Sequence, residues 1–441
     1  RIVPETEMTL RHSFALILTT SLTAFASAEP IVIEGVLPAA LDQPRIFLAI
    51  SKNATSDPLV TKGESMESML ADLLGDEGDA KESSEAFQIE AFLDTGASGV
   101  MLSKITADAL GLAPATAKDG TALKYFDIGV AGEEEFGVSD PLFLRMCDYG
   151  NVETGDKLER YSKPMGPTRI KIRAEGGMLD ELIGGIDIVG MPAMRENVVV
   201  LDARLLTGLE TRALEDMGRI ETKLLAPNDP SIPKSEVQIK LTLVNFDRFT
   251  RHIPEDFETA NTFDNPMVGP NPFDPSDQSA PIVLTHGDKS THTTMLLDTG
   301  AASSMISEST ARELGITIDE SGALTNIPAA EQFSLPIGGI GGMKTVPGFY
   351  VDAMVLPAIK GESIRYVKVP MLVLDISVHD QKTGEDYTLG GVLGMNLFVG
   401  SASIDMMSSL GPDEMRGGAF DFIVIDHMQK QLGLVLHKTS P

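Results

Sequence analysis

The sequence predicts a mostly β protein of two homologous lobes, with short helices and a cleft between the lobes. A segment that begins at Asp94 recurs in similar form at Asp298, which indicates an internal duplication. Short runs of β-branched and other apolar residues, bounded by turn-forming residues, occur along both halves and predict strands. Two helices are predicted, Ser103–Leu110 and Ser307–Leu314, because each has an apolar stripe that stops at a glycine.

The duplication is supported by two motifs at one spacing. From Asp94 the chain reads DTGASGVMLSKITADALGL, and from Asp298 it reads DTGAASSMISESTARELGI, with ten identities in nineteen positions. A second motif, two apolar residues and a glycine, ends at Gly190 and at Gly394, in each case 96 residues after the aspartate. One Asp-Thr-Gly tripeptide could recur by chance, but two motifs at the same separation indicate two related lobes.

The predicted domains begin with a signal peptide over residues 1–28. A charged leading region precedes the apolar stretch Phe14–Phe25, which is too short to span a bilayer, and Ala26–Ala28 fits a cleavage site. A buried helix or a lipid-facing anchor is the alternative. We expect the N-terminal lobe over 29–215, the C-terminal lobe over 216–441, and a secreted, periplasmic or extracellular location.

The predicted strands mix β-branched and aromatic residues between turn formers. They are Ile31–Val36, Arg45–Ile50, Ala86–Leu93, Glu236–Val244, Pro281–Thr285, Thr293–Leu297, Tyr366–Leu374 and Phe420–Ile425. Two insertions, 54–85 and 247–280, interrupt this pattern. The first is acidic, and within the second Glu255–Ala280 is rich in Pro, Asn and Asp, which predicts a long surface loop.

The composition excludes several classes of function. The formal net charge of −29 disfavours binding to nucleic acid and to anionic membranes. A single cysteine, Cys147, cannot form an internal disulfide, and burial is its expected role. Because the sequence has no His-Glu-x-x-His, no paired cysteines and no Gly-x-Ser-x-Gly, we expect no metal, no cofactor and no serine nucleophile of that type.

Each residue type in the Asp-Thr-Gly motif has a structural role, and the role is the same in both copies. Gly96 and Gly300 allow a sharp turn and leave room for a second backbone to approach. Thr95 and Thr299 can form hydrogen bonds to the opposite lobe. The helix that follows each loop supports it from behind.

Two such loops bring Asp94 and Asp298 into one shared site. Like charges a few ångströms apart do not both ionise easily, so the pair holds a single proton over a wide pH range. The ionised member can take a proton from water while the protonated member donates to a substrate carbonyl, which is general acid–base catalysis of amide hydrolysis. For each motif alone, the alternative is that the aspartate only forms a turn beside glycine.

These motifs resemble those of the aspartic peptidases, pepsin-like in having both lobes on one chain. In that family each lobe carries two hydrophobic residues and Asp-Thr-Gly, followed later by two hydrophobic residues and a glycine that brace the active loop. Phe92–Gly96 with Ile188–Gly190 fits the first lobe, and Leu296–Gly300 with Val392–Gly394 fits the second. The ending Phe420–Leu434 also resembles the closing hairpin of pepsin-like chains.

The residue after each motif departs from the pepsin-like pattern. Ala97 and Ala301 resemble the retroviral-type peptidases, whereas pepsin-like enzymes usually place Ser or Thr there, whose hydroxyl bonds the catalytic carboxylate. Losing a hydrogen bond to the ionised form should raise the pKa values of the pair. We therefore expect activity at mildly acidic to neutral pH.

Two glycine-rich segments are candidates for the flaps that cover a bound substrate. They are Phe126–Gly137 in the first half and Leu335–Gly348 in the second, and ordinary turns are the alternative. The sequence has no Tyr-Gly-Thr-Gly tip of the pepsin kind, for which Tyr125 is a candidate substitute. The candidate tip residues are Gly129, Gly132, Gly338 and Gly341.

The resemblance implies a secreted aspartic endopeptidase that hydrolyses polypeptides between Asp94 and Asp298 and works as a monomer. The active-loop support expected from the family is the set Thr95, Gly96, Ala97, Thr299, Gly300, Ala301, Gly190 and Gly394. The alternative is a catalytically idle extracellular or envelope module of the same fold that only binds peptides. Both aspartates are retained, and this favours the enzyme because a mere scaffold has no need of two mutually repelling carboxylates.

Overall fold

A computed structural model describes ten segments of the chain: 29–61, 86–130, 132–150, 152–173, 185–207, 218–246, 251–253, 264–379, 384–403 and 414–438. The predicted signal peptide, most of the acidic insertion and the predicted lobe boundary at 215/216 lie outside these residues. The described part is mostly β, with few and short helices, as an aspartic protease fold requires.

The strands of the first half, in chain order, are β1 Ile31–Glu34, β2 Ala39–Ala40, β3 Arg45–Ser51, β4 Ile89–Leu93, β5 Val100–Leu102, β6 Lys124–Gly129, β7 Gly132–Val138, β8 Leu142–Cys147, β9 Met165–Thr168, β10 Lys171–Arg173, β11 Ile188–Val189 and β12 Val198–Asp202. The later strands are β13 Glu221–Leu225, β14 Val237–Lys240, β15 Thr242–Val244, β16 Arg251–Ile253, β17 Asn265–Val268, β18 Ile282–His286, β19 Lys289–Thr293, β20 Met295–Leu297, β21 Met305–Ile306, β22 Gln332–Gly339, β23 Gly342–Leu356, β24 Ile364–Val373, β25 Ser377–His379, β26 Asp386–Thr388, β27 Gly391–Leu393, β28 Ser401–Ser403, β29 Glu414–Arg416, β30 Phe420–Asp426 and β31 Gln431–Leu436. The α-helices are α1 Lys104–Ala109, α2 Val152–Gly155 and α3 Glu308–Glu313.

Two large sheets contain the same run of pairings. In the ten-stranded sheet, β4 pairs parallel with β11, β11 antiparallel with β5, β5 parallel with β10, and β10 antiparallel with β7. In the eleven-stranded sheet, β20, β27, β21, β24 and β23 repeat this order and these directions. In both sheets the first strand ends immediately before an Asp-Thr-Gly motif, so the shared order positions both aspartates in the same way.

The two predicted helices are present as α1 and α3, and each begins with a serine cap. The Ser103 hydroxyl accepts from the Thr106 N–H at 3.2 Å, and the Ser307 hydroxyl accepts from the Thr310 N–H at 3.1 Å. Each bond satisfies one N–H that the first helical turn leaves unpaired. Both helices are followed by a glycine in the left-handed region, with φ of 65° and 84°. No helix in the described ranges is long and apolar enough to cross a bilayer.

A five-stranded sheet joins segments from both sides of the predicted boundary. Its order is β13, β12, β30, β31 and β14, and β30 and β31 form the hairpin expected at the end of the chain. Two further strand pairs also join segments from the two sides of the predicted boundary: β1 pairs with β24, and β16 pairs with β6. The apolar core is shared in the same way, since one buried cluster includes Ile46, Leu201, Val351 and Leu434.

The prediction of a surface loop over Glu255–Ala280 is wrong for residues 265–268. These residues form β17, which is wholly buried between β15 and β20. Asn and Pro are poor strand formers, which is why the sequence indicated a loop. Burial against two neighbouring strands and side-chain hydrogen bonds of Asn265 outweigh that local preference.

The predicted single strand Glu236–Val244 is in fact two strands in two sheets. β14 pairs with β31 in the five-stranded sheet, while β15 pairs with β17 in the eleven-stranded sheet. The chain leaves one sheet for the other at Leu241, whose N–H donates to the Lys430 carbonyl at 2.8 Å. The alternation of apolar residues continues through the whole run, so it does not show with which strand each half of the run will pair.

Cys147 lies at the end of β8 and is buried, as expected. Burial raises the pKa of its thiol to about 11. The thiol is therefore protonated at neutral pH, and this makes it a poor nucleophile.

Candidate active site

Asp94 and Asp298 lie side by side, with their carboxyl groups within hydrogen-bonding reach of each other. Each carboxylate also accepts the backbone N–H groups of the residues two and three positions later. The distances are 2.7 and 3.1 Å for Asp94 and 2.8 and 3.0 Å for Asp298. The second donor of each pair is the N–H of Ala97 or Ala301, so these alanines hold the carboxylates through the backbone alone.

The third residue of each motif must be glycine because the opposite aspartate occupies the space of its side chain. A Cβ atom on Gly96 would lie 2.8 Å from the carboxyl carbon of Asp298. A Cβ atom on Gly300 would lie 2.5 Å from the carboxyl carbon of Asp94. Both distances are shorter than real Cβ contacts, so glycine is what allows the two loops to approach.

The threonines of the two motifs lock the loops together through reciprocal hydrogen bonds. The Thr95 hydroxyl donates to the Leu297 carbonyl, and the Thr299 hydroxyl donates to the Leu93 carbonyl, both at 2.5 Å. Each hydroxyl also accepts the backbone N–H of the other threonine, at 3.0 and 3.1 Å. Both threonines are fully buried, so these four bonds are made without competition from water.

Gly190 and Gly394 pack directly behind the active loops. A side chain on Gly190 would overlap the Ala97 carbonyl, and a Cβ atom on Gly394 would lie 2.9 Å from the Ala301 carbonyl oxygen. The residue after each glycine donates its N–H to that same carbonyl, at 2.9 and 2.8 Å. Gly190 and Gly394 therefore lie directly against the two loops that carry Asp94 and Asp298.

The surroundings of the pair favour the protonated form. Desolvation raises the pKa of Asp94 above its ordinary value. The pKa of Asp298 is raised well above its ordinary value, first by desolvation and then by the negative charge of Asp94. Two buried carboxyls in contact therefore share a proton at pH values where free aspartic acids have lost both of theirs.

Both carboxyls line a cleft of about 430 Å³, together with the tips of two hairpins. The first hairpin is β6–β7 and the second is β22–β23, and these are the two segments predicted as flaps. Gly129 and Gly338 line the cleft. Gly132 and Gly341 lie at the hairpin turns, with φ of 117° and 85° in the left-handed region that glycine tolerates.

The two hairpin tips contact each other and are joined by a polar network. A Cβ atom on Gly129 would lie 2.5 Å from the Cβ atom of Ile340. Arg173 donates to both oxygens of Glu134, at 2.7 and 3.1 Å, and the Gly341 N–H donates to Glu134 at 2.9 Å. Glu134 of the first hairpin is thereby bonded to the turn of the second, across the cleft.

Tyr125, the candidate for a pepsin-like flap tyrosine, lies in β6 of the first hairpin, and its side chain is fully buried. Lys171 Nζ lies 4.0 Å from the centroid of its ring. A tyrosine in this position supports the wall of the cleft and does not cover the substrate. Among the described residues, no three His, Cys, Asp or Glu side chains are grouped as a metal site would require.

Residues 282–397 match the family model of aspartyl proteases. This aspartyl protease match contains the second Asp-Thr-Gly motif and Val392–Gly394, so it covers the loop of Asp298 together with its brace. It supports an aspartic peptidase and a protease type of function. No curated protein matches this chain.

Sequence reasoning missed Asn265, whose carboxamide holds the first active loop. It lies in β17, within the C-terminal part of the chain, and is fully buried. Its Nδ2 donates to the Thr95 carbonyl at 2.8 Å and to the Gly96 carbonyl at 3.0 Å. These bonds hold the first active loop from β17, a strand of the eleven-stranded sheet.

Gln43 is the counterpart of Asn265 on the other side. Its Nε2 donates to the Gly300 carbonyl. Phe92 pairs with Arg45 in β3, and Gln43 lies two residues before Arg45. In the same way, Leu296 pairs with Met267 in β17, and Asn265 lies two residues before Met267. The sequence does not reveal this equivalence, because the two residues lie at different distances from their aspartates. Gln43 is 51 positions before Asp94, whereas Asn265 is 33 positions before Asp298.

Replacing Asn265 with leucine, a side chain of similar shape, should lower both stability and peptide hydrolysis. Two loop carbonyls lose their buried donor, which costs about 1–3 kcal/mol. Gln332→Met is the matched control, because Gln332 also donates to two backbone carbonyls, at 2.6 and 2.9 Å, at the base of the second hairpin. We expect both variants to melt earlier, with kcat lowered only in Asn265→Leu when each is assayed well below its melting temperature. Equal kcat values in the two variants would show that Asn265 is merely structural.

Proposed function

We propose that this protein is a secreted aspartic endopeptidase of two related lobes, with Asp94 and Asp298 as its catalytic pair. One observation carries the proposal: two carboxyls from distant segments lie within hydrogen-bonding reach of each other and line one cleft. Turn-forming aspartates have no need of such contact, and two buried carboxyls with raised pKa values in one cleft are typical of a functional site. The aspartyl protease match over residues 282–397 supports the same chemistry.

The reaction follows from the shared proton. A water molecule held between the two carboxyls loses a proton to the ionised one, and its oxygen attacks the carbonyl carbon of the scissile amide. The protonated carboxyl donates to the carbonyl oxygen, which gives a neutral gem-diol. Collapse of the gem-diol returns a proton to the pair and transfers another to the leaving nitrogen, so the C–N bond breaks and the pair regains its starting state.

The cleft suits an extended polypeptide. Two hairpins border it, and each offers backbone groups to which a peptide strand can bind by main-chain hydrogen bonds. Because both hairpins and both carboxyls belong to one chain, we propose that the monomer is the working unit. Export, which the N-terminal segment predicts, places the substrate outside the cytoplasm.

The proposal is tested by peptide hydrolysis between pH 3 and 8 with the purified full chain and a quenched peptide library. Since the pKa of each aspartate is raised, we expect a bell-shaped profile with its optimum at mildly acidic to neutral pH. A peptide with a secondary alcohol in place of the scissile amide should inhibit, because it resembles the gem-diol. A rate that still rises as the pH falls to about 3, below the ordinary aspartate pKa of ~3.9, would contradict the raised pKa values.

The rival proposal, a binding module without catalysis, has a distinct outcome in the same assay. A folded chain that binds library peptides but hydrolyses none of them at any pH would replace the peptidase with that module. Hydrolysis that the secondary alcohol does not inhibit would indicate a contaminating enzyme.

A further inference from the structure

The cleft has chemically different walls in its two halves, and this difference identifies the kind of peptide that it selects. We propose that one subsite takes a carboxamide side chain, Asn or Gln, through an Asp127–Lys171 ion pair, while the matching subsite across the cleft takes an aliphatic side chain. The inference rests on the proposed function for its place in hydrolysis, but peptide binding tests it independently.

The equivalence of positions in the two halves follows from strand register. Met101 and Met305 each lie seven residues after the motif aspartate. Lys171 pairs with Met101 in the first sheet, and Leu372 pairs with Met305 in the second. Lys171 and Leu372 therefore occupy equivalent positions, one charged and one apolar.

The hairpins continue this correspondence. Lys171 pairs with β7 and Leu372 pairs with β23, so positions can be counted along both hairpins from a common start. By that count Asp127 is equivalent to Ile337, and Tyr125 is equivalent to Leu335. Thus an Asp–Lys–Tyr group in one half replaces an Ile–Leu–Leu group in the other.

The charged group is built into the wall of the cleft. Lys171 Nζ lies 2.6 Å from Asp127 Oδ2, and both residues line the cleft. Their side chains are 13% and 22% exposed, so the pair is largely but not fully shielded from solvent. The ring of Tyr125 lies against the ammonium group, which holds the lysine in place.

The opposite wall is apolar. Ile337 lines the cleft, and Leu335 and Leu372 are buried behind it in one apolar cluster. An aliphatic side chain bound there removes apolar surface from water on both partners. A carboxamide bound there would lose its hydrogen bonds to water without replacement, which is unfavourable.

The ion pair has the opposite preference. An aliphatic side chain would remove water from Asp127 and Lys171 without offering a hydrogen bond. A carboxamide has both a donor and an acceptor, so its NH2 group can bond the Asp127 carboxylate, which accepts several donors at once, and its oxygen can accept from Lys171. An acidic or basic side chain would satisfy one member of the pair and be repelled by the other.

The test uses peptides of one scaffold in which each position on either side of the cut carries Asn or Leu, which are close in shape. In the native chain we expect one position, on one side of the cut only, to prefer Asn over Leu by at least about tenfold in kcat/KM, because a site built to hydrogen-bond rejects an apolar isostere. The matching position across the cut should prefer Leu. Asp127→Ile/Lys171→Leu, which copies the second half into the first, should reverse the first preference and leave the other unchanged.

Lys124→Met/Glu135→Gln is the control, because it removes another ion pair of the first hairpin, at 2.7 Å, whose two residues do not line the cleft, and it should retain both preferences. A native chain that prefers Leu at both positions, or a folded double variant that still prefers Asn, overturns the inference. If the double variant does not fold, the native preferences alone decide the question.

Binding separates this inference from the proposed function. Affinities of the same peptides are measured by fluorescence anisotropy with the Asp298→Asn chain, which cannot turn them over if the proposed mechanism holds. Asn preference in binding without hydrolysis by the native chain supports the inference and refutes the peptidase. Hydrolysis with Leu preferred on both sides supports the peptidase and refutes the inference, and no binding of either peptide also refutes the inference.

Discussion

Replacing Asp94 or Asp298 with asparagine should abolish peptide hydrolysis and, at the same time, raise the melting temperature at pH 7. Either change removes a carboxyl that acts as acid or base in the proposed mechanism, which should reduce kcat by roughly 10³-fold or more, since each role contributes about 10²–10⁴-fold. Asparagine keeps the shape of the side chain, so the loops should remain in place.

The gain in stability follows from the raised pKa values. A buried aspartate with a raised pKa holds its proton in the folded chain at pH values where the unfolded chain has lost it. Its contribution to stability is therefore complete below the ordinary aspartate pKa and is lost as the pH rises through the folded value. Asparagine never ionises, so Asp298→Asn should melt higher than the native chain at pH 7, with the difference shrinking towards pH 3.

Asp319→Asn is the contrasting control for both parts of this prediction. Asp319 is an exposed turn residue whose pKa is lowered by hydrogen bonds from Ser321 and the Ala323 N–H. Its replacement should leave hydrolysis unchanged and should not raise the melting temperature at pH 7. Activity above about one tenth of the native value in either Asp94→Asn or Asp298→Asn would contradict the catalytic roles, given the factors expected above.

Replacing both Thr95 and Thr299 with valine should prevent the two active loops from joining. Each valine leaves a buried carbonyl and a buried N–H without their partners, at about 1–3 kcal/mol per group. In the double variant, the summed cost of the four unpaired groups is comparable to the free energy of unfolding of a typical domain, ~5–15 kcal/mol. We therefore expect the double variant to unfold or to lose the site, and each single variant to lose several kcal/mol.

The measurement is the urea midpoint of each variant together with its kcat/KM. Thr95→Ser and Thr299→Ser are the matched controls, because serine retains the hydroxyl that donates and accepts across the cleft. They should stay close to the native chain in both quantities. Valine variants as stable as the serine variants would show that the reciprocal bonds do not hold the loops together.

Features that depend on neighbouring residues along the chain could be predicted from residue types and their spacing. The turns at the two Asp-Thr-Gly motifs and the serine-capped helices lie where the sequence predicted them, and Gly190 and Gly394 lie against the two loops. Each depends on local requirements, such as a glycine without a Cβ atom or a hydroxyl at the start of a helix, and these requirements leave a readable pattern of residue types. The equal spacing of the two motifs also predicted the shared site of Asp94 and Asp298.

Contacts between residues far apart in the chain could not be predicted in this way, because they depend on how the strands pair in the folded protein. Asn265 is in a segment of loop-like composition, yet burial between two strands makes it part of a sheet and directs its carboxamide to a loop 170 positions earlier. Asp127 and Lys171 are 44 positions apart, and nothing local links them until β6, β7 and β10 come together. Such contacts follow from strand register and from the cost of leaving buried polar groups unpaired, and neither is visible in residue type or in local spacing.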